Sequence, residues 1–235
     1  MSFPQKNLSL QHGFSMVEVL VTLIILLVGL LGLAGVMVQG QRSEVESYQR
    51  VQALILLQDM AARINANRYA ATCYAYTTNT ANGTPYLGTT GTGVKTTPVP
   101  ATACTSAAIT ALYPSISVTT AALQATTAVN DMNAWHNTLL GASETSSGAN
   151  IGAMVGARGC VSYNSTSTPV NGGPLLNPVN GAQIPGTGVY TISVAWQGLG
   201  NTAIATPNCG QGLYGTSDAM RRVVSLTIRI GSLTT

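Results

Sequence analysis

Charged side chains are nearly missing from this sequence: Asp, Glu, Lys and Arg make up 7% of its 235 residues, where soluble globular domains carry roughly 25%. The formal net charge is +3, and Arg221-Arg222 is the one adjacent cationic pair. Without a basic block there is no electrostatic footprint of a nucleic-acid binder, and no nucleic-acid partner is expected. Histidine is as scarce, with only His12 and His136. That excludes a His-rich metal site and a convincing Ser-His-Asp set, and His136 reads as a surface position on a helix. Outside Glu18 the carboxylates are Glu44, Glu46, Asp59, Asp131, Glu144 and Asp218, and none forms a recognisable pair for acid-base work. The expectation is a chain that is not an enzyme and has no metal or cofactor, with a surface polar but almost uncharged.

The four cysteines, Cys73, Cys104, Cys160 and Cys209, lack the close C-x-x-C spacing of a zinc or redox site. They read as two disulfides, which imply an oxidising compartment, in a bacterium the periplasm or beyond. Three pairings are open; Cys73 with Cys104 and Cys160 with Cys209 is preferred because each closes a local loop.

What is abundant is hydrocarbon. In "QHGFSMVEVLVTLIILLVGLLGLAGVMV", residues 11 to 38, the twenty residues from Val19 to Val38 contain one polar side chain, Thr22. At about 1.5 Å per residue this helix spans the roughly 30 Å of a bilayer core. It exceeds the apolar region of about 7 to 15 residues of a secretory signal and lacks a clear A-x-A site. Lys6 before the run and Arg42 and Arg50 after it leave the positive-inside rule indecisive. Oxidised cysteines would place the C-terminal portion outside and residues 1 to 13 in the cytoplasm.

The helical pattern continues through residues 39 to 68, where Ala53, Leu57, Met60 and Ile64 recur at three- and four-residue steps and Arg50, Asp59, Arg63 and Arg68 supply the wetter sides. One helix is expected from about Phe14 to about Asn67, roughly 80 Å long.

Glu18 is the one charge inside the apolar run. A carboxylate there costs about 2.5 to 3.5 kcal/mol at the bilayer centre and less near an interface. It could snorkel to headgroup depth, face the positive end of its own helix, or pair with a cation brought by another molecule. The stretch "GFSMVEVLVTLIIL" places Gly13 before Phe14 and Glu18 four residues on, and it resembles the class III signal of type IV pilins and pseudopilins. The resemblance implies that residues 1–13 are a leader cut after Gly13 by the prepilin peptidase, and that Phe14 is then N-methylated. It also implies that Glu18 is an assembly charge, neutralised by the N-terminus of a neighbouring subunit. Major pilins commonly have a helix-bending proline where this chain has Gly35, the last of three glycines at 29, 32 and 35; these either weaken the helix or permit close packing.

Beyond the helix, residues 69 to 129 are rich in Thr and Ala, with Lys95 their sole charge and four prolines, and read as loops with short strands. A compact helix is predicted in "AVNDMNAWHNTLLGA", with Met132, Trp135, Leu139 and Leu140 on one face, Asp131 near its start and Gly141 at its end. Two strands follow: Tyr190, Ile192, Val194 and Trp196 alternate in "VYTISVAWQ", as do Val224, Leu226, Ile228 and Ile230 in "RRVVSLTIRI", each with one buried face. The Gly-rich loop between them could be fastened to "RGCVSY" through Cys209 and Cys160.

The expected fold is α+β and pilin-like: a long N-terminal helix, its first half in the membrane, packed on a C-terminal antiparallel sheet. The divisions are a leader (1–13), a transmembrane assembly segment (14–38), an amphipathic half-helix (39–68) and a periplasmic disulfide-bearing head (69–235), with no role assigned to segment 77–128. "RGCVS", "YTISVAWQG", "CGQGLYG" and "RRVVSLTIRI" look like minor pilins of the PilV, pilus-modification type. That resemblance implies a low-copy subunit that primes or caps the filament near its tip with other minor pilins and the major pilin. Inner-membrane machinery would assemble it, and it would support pilus biogenesis, adhesion and twitching. The alternatives are a minor pseudopilin of type II secretion and a tip adhesin.

Overall fold

The computed structural model describes residues 13, 15–89, 104–142, 145–147, 149–150, 154–165, 169–171, 173–184 and 186–231. Phe14, His12, Lys95 and Glu144 therefore lie outside the described residues. The chain divides into two compact units, residues 1–45 and 46–235.

The helices are α1 (Met16–Ala66), α2 (Ala71–Tyr74), α3 (Ser106–Leu112) and α4 (Val118–Leu139). The strands are β1 (Leu87–Gly88), β2 (Thr145–Ser146), β3 (Ala149–Asn150), β4 (Arg158–Tyr163), β5 (Leu175–Leu176), β6 (Gln183–Ile184), β7 (Gly188–Gln197) and β8 (Arg221–Ile230). A four-stranded antiparallel sheet has the order β1-β4-β7-β8, while β2-β3 and β5-β6 form separate two-stranded pairs. The β7–β8 ladder is the longest, running from Gly188 opposite Ile230 to Gln197 opposite Arg221.

In the second unit the core lies between helices and sheet. Ala53, Leu57, Met60 and Ile64 of α1 are buried at the predicted spacing, against Met132, Trp135 and Leu139 of α4 and Tyr190, Ile192 and Val194 of β7. Trp135 is fully buried, and its indole N–H donates to the Leu56 carbonyl at 3.0 Å. A buried indole needs such a partner. Gly159 on β4 is required by the same ring, because a Cβ there would overlap Trp135 and press on Leu139.

Four sequence expectations are corrected. The segment after Thr105 is mainly helical rather than loops with short strands, and the helix predicted from Ala128 is the second half of the 22-residue α4. Ala is the best helix former, and Ala121, Ala125, Ala128, Met132, Trp135 and Leu139 make a stripe of alternating four- and three-residue steps. Ser117 caps the start by accepting from the Thr120 amide at 3.1 Å, and Thr126 and Thr127 bond back to carbonyls four residues earlier, which reconciles threonine with a helix. Asp131 consequently sits inside α4, far from its N-terminus, and faces charged partners instead. His136 is half-buried rather than a surface group: its Nδ1 accepts from the Gly88 amide at 3.0 Å and ties β1 to α4, and burial lowers its pKa.

The fourth correction concerns the faces. Ser193 and Ala195 on the opposite side of β7 are buried as well, because the Cys209 loop covers that end in a second cluster with Tyr86, Cys160 and Tyr214. By contrast, Val224, Leu226 and Ile228 of the edge strand β8 are only partly buried. Helix α1 is also apolar on its outward side in the second unit, where Tyr48, Val51, Leu54 and Ile55 are exposed.

Two outcomes are expected. Gly159→Ala should destabilise the fold by about 1 to 3 kcal/mol through overpacking, read as a lower urea midpoint at unchanged slope. The second is set by the tyrosines. Burial pushes the Tyr163 phenol up to about 12, and burial, opposed by Arg158, takes Tyr214 to about 12 as well. Each neutral phenol therefore stabilises the fold fully below its ordinary value of 10, and that contribution is lost as pH rises through about 12. Near-ultraviolet circular dichroism followed with phenolate absorbance should show alkaline unfolding in that window; complete unfolding below it would contradict this account.

Candidate functional site

In the first unit, α1 begins at Met16 after Ser15, whose side chain accepts from the Val17 amide at 3.3 Å while its carbonyl accepts from the Glu18 amide at 3.0 Å. Glu18 thus sits in the first turn, exposed, where the helix dipole favours an acid, and it forms no ion pair among the described residues. Gly13 is exposed with open space around it. Every described residue from Met16 to Val45 is exposed, including the whole apolar run, which is long and apolar enough to cross a membrane. So much bare hydrocarbon is not stable in water and demands lipid or other helices around it.

Charges in the second unit are few, and most are saturated internally. Arg63, between Asp59 and Asp131, donates to Asp59 at 3.0 Å and to Asp131 at 2.8 Å, and the Tyr74 hydroxyl donates to the other Asp131 oxygen at 2.5 Å. Burial by itself would lower the Arg63 pKa, but the two carboxylates outweigh it and the net shift is upward. Burial, then the bond to Asp131, drives the Tyr74 phenol far above its ordinary value. This network locks α1 to α2 and α4. Asp59 and Arg63 stay partly exposed on the wetter side of α1, and Asp131, four residues before Trp135, is the sequence sign that α4 brings an acid to them.

Two disulfides join Cys73 to Cys104 and Cys160 to Cys209, with Cα separations of 4.8 and 5.8 Å. The second fastens the loop of residues 198 to 220 to β4, and Arg221 organises it. Its fully buried guanidinium donates to Asp218 and to the carbonyls of Pro207, Cys209 and Ala205, the last at 2.8 Å. Ser217 and Asp218 are held in the left-handed region, at φ 62° and 58°, to complete this cage. Next to it, Arg222 donates to Glu46 of α1 at 3.0 Å and to Gly200 at 2.9 Å, while the Leu199 amide donates to the same Glu46 oxygen at 3.1 Å. Arg158 lies 5.4 and 4.7 Å from the Tyr86 and Tyr214 ring centroids, a cation held by two aromatic faces. The sequence signal for these roles was thin: arginines at the ends of strands beside a Gly-rich loop whose carbonyls need donors. The described residues contain no cluster of three His, Cys, Asp or Glu side chains that could hold a metal ion.

A long apolar N-terminal helix, with its later turns packed on an antiparallel sheet, is the architecture of a pilin. The comparisons agree at both ends of α1: a family model described as type IV pilin Tt1218 matches residues 38–112, and a prokaryotic N-terminal methylation motif matches residues 8–34. The chain therefore carries a methylation-type leader motif and a type IV pilin segment, and the two matches support a pilin role. Gly13, Phe14 and Glu18 fall within the first of these stretches in the chain, and Cys73 and Cys104 within the second. No curated protein and no solved structure matches the chain.

The two neighbouring arginines are expected to differ sharply. Arg221→Met leaves Asp218 buried without its cation and should cost about 3 to 5 kcal/mol, with loss of amide protection in residues 205–218. Arg222→Met removes a partly exposed pair and should cost under about 1 kcal/mol. Chemical denaturation with hydrogen exchange measures both, and equal losses would refute the cage.

Proposed function

We propose that this chain is a minor type IV pilin. Residues 1–13 are a leader removed after Gly13 by a prepilin peptidase on the cytoplasmic side, and the new N-terminal residue, Phe14, is N-methylated. The mature chain is held in the inner membrane by α1 with its head in the periplasm, and it then enters a filament whose core is a bundle of like helices. The observation that carries this reading is Glu18: a lone carboxylate on an apolar helix, with no partner among the described residues.

In a bundle of low dielectric an unpaired carboxylate is costly, so an amine from the next subunit both neutralises it and selects one axial register. Cleavage after Gly13 creates such an amine four residues before Glu18. The exposed Tyr48, Val51, Leu54 and Ile55 extend the apolar surface available for packing against other pilins beyond the membrane run. A minor, priming place near the tip, working with the major pilin and other minor pilins through the inner-membrane assembly machinery, is supported by the motifs of the PilV type around Cys160, Cys209 and β8. Roles in adhesion and twitching would follow from filament assembly.

Glu18→Ala should be processed, inserted and oxidised normally yet be depleted at least about tenfold from sheared filaments, a loss equivalent to one missing charge pair. Gly13→Ala should retain the leader. Mass spectrometry of the wild-type subunit should find N-methylphenylalanine at position 14. Undiminished incorporation of Glu18→Ala would remove the assembly-charge role, and an uncut wild-type chain would remove the pilin reading itself.

A further inference from the structure

The outer face of the four-stranded sheet is closed at one end and open at the other. At Ser193 and Ala195 it is covered by the disulfide-pinned loop. At the other end Ser162 of β4 lies opposite Thr191 of β7, with Val189 two residues along the same strand, and these floor a half-open cleft of about 430 Å³. Thr78 and Thr80 line one side; Asn164, Ser165 and Asn171 line the other. That volume falls within the roughly 300 to 1,000 Å³ of small-ligand sites.

Three observations define its chemistry. Among the described residues, no charged side chain lines the cleft. Its hydroxyls are uncommitted: the side chains of Thr78, Thr80, Ser162, Ser165 and Thr191 form no hydrogen bond within the described residues, whereas Thr110, Thr126, Thr127 and Thr138 all donate to carbonyls of their own helices. Finally, two of its wall segments are tied down. The Thr77 hydroxyl accepts from the Val161 amide at 3.1 Å and donates to Pro85 at 2.9 Å, which holds Thr78 beside β4. Across the cleft Arg229, opposite Val189 on β8, donates to the Pro169 carbonyl at 3.2 Å and positions the turn that carries Asn171.

We infer that this cleft binds a short neutral saccharide, a function separate from filament assembly. Hydroxyl and amide side chains both donate and accept, as sugar hydroxyls do, so a fixed set of them can satisfy a ring of such groups. An anionic glycan or phosphate would lose hydration there and meet only the Arg229 guanidinium at the rim, which already donates to the Pro169 carbonyl. A peptide strand would need an unpaired sheet edge, but the floor is the face of the paired β4–β7 ladder, and among the described lining residues Val189 is the one aliphatic side chain. So polar and open a site binds weakly, with a dissociation constant of about millimolar.

The test uses the full-length protein in micelles of a detergent without a sugar headgroup, with threonine methyl groups labelled for nuclear magnetic resonance. Methyl β-galactoside, methyl β-glucoside and N-acetylglucosamine are titrated as neutral probes, with sialyllactose and a heparin oligosaccharide as anionic ones. At least one neutral probe should shift the Thr78, Thr80 and Thr191 methyl resonances saturably, leaving Thr126 unmoved. The double variant Ser162→Ala, Thr191→Val should weaken that binding at least about tenfold while its other resonances stay dispersed. Three results would overturn the proposal: no neutral probe moving those methyls, an anionic probe moving them instead, or unchanged affinity in the folded double variant. Should the variant fail to fold, the wild-type methyl shifts alone decide.

Discussion

A carboxylate on an apolar helix must find a cation, take up a proton or leave the low-dielectric phase, and few residues in this chain are under so strict a condition as Glu18. The turns that follow it have no other charge up to Arg42 and are exposed throughout. Bare hydrocarbon explains insertion in a membrane but not the acid. In the proposed filament, a partner that arrives with the same kind of helix would answer both, because it would bring apolar surface and an amine together. Cutting after Gly13, as proposed, would supply that amine by turning an amide nitrogen into an N-terminus four residues before Glu18 in the sequence.

The head meets the same condition by other means. It has few charges, and those at its centre are enclosed: Arg63 by Asp59 and Asp131, Arg221 by Asp218 and three carbonyls, Arg158 by two tyrosine rings. The enclosed cations and two disulfides hold segments that carry little hydrophobic surface of their own, above all the loop between β7 and β8. The remaining surface is hydroxyl- and amide-rich. Where the loop ends, those hydroxyls are left unengaged in the cleft floored by Ser162 and Thr191.

Much of this was legible in the sequence because the strongest signals are periodic or all-apolar. The run from Val19 to Val38 locates the apolar half of α1, and the three- and four-residue steps of Ala53, Leu57, Met60 and Ile64 and the alternation of Tyr190, Ile192, Val194 and Trp196 each locate an element and its buried face. What stayed hidden depends on contacts between distant residues. The first half of α4 is written in alanine and threonine, whose side chains give little hydropathy contrast, so its stripe became readable only against α1 and the sheet. The Arg221 cage draws on carbonyls spread over residues 205 to 209, and no side-chain pattern encodes a carbonyl. Likewise, the second buried face of β7 exists because of the Cys209 loop, which strand periodicity alone does not place.

The most direct test of the central claim is a zero-length cross-link in purified filaments that contain this chain, made with an apolar carbodiimide that partitions into the helix bundle. Activated Glu18 beside an amine becomes an amide. Without one it rearranges to a stable N-acylurea. The account predicts a peptide in which the Glu18 side chain is joined to the N-terminal residue of a neighbouring subunit. Recovery of Glu18 only as the acylurea, with no amine attached, would contradict it.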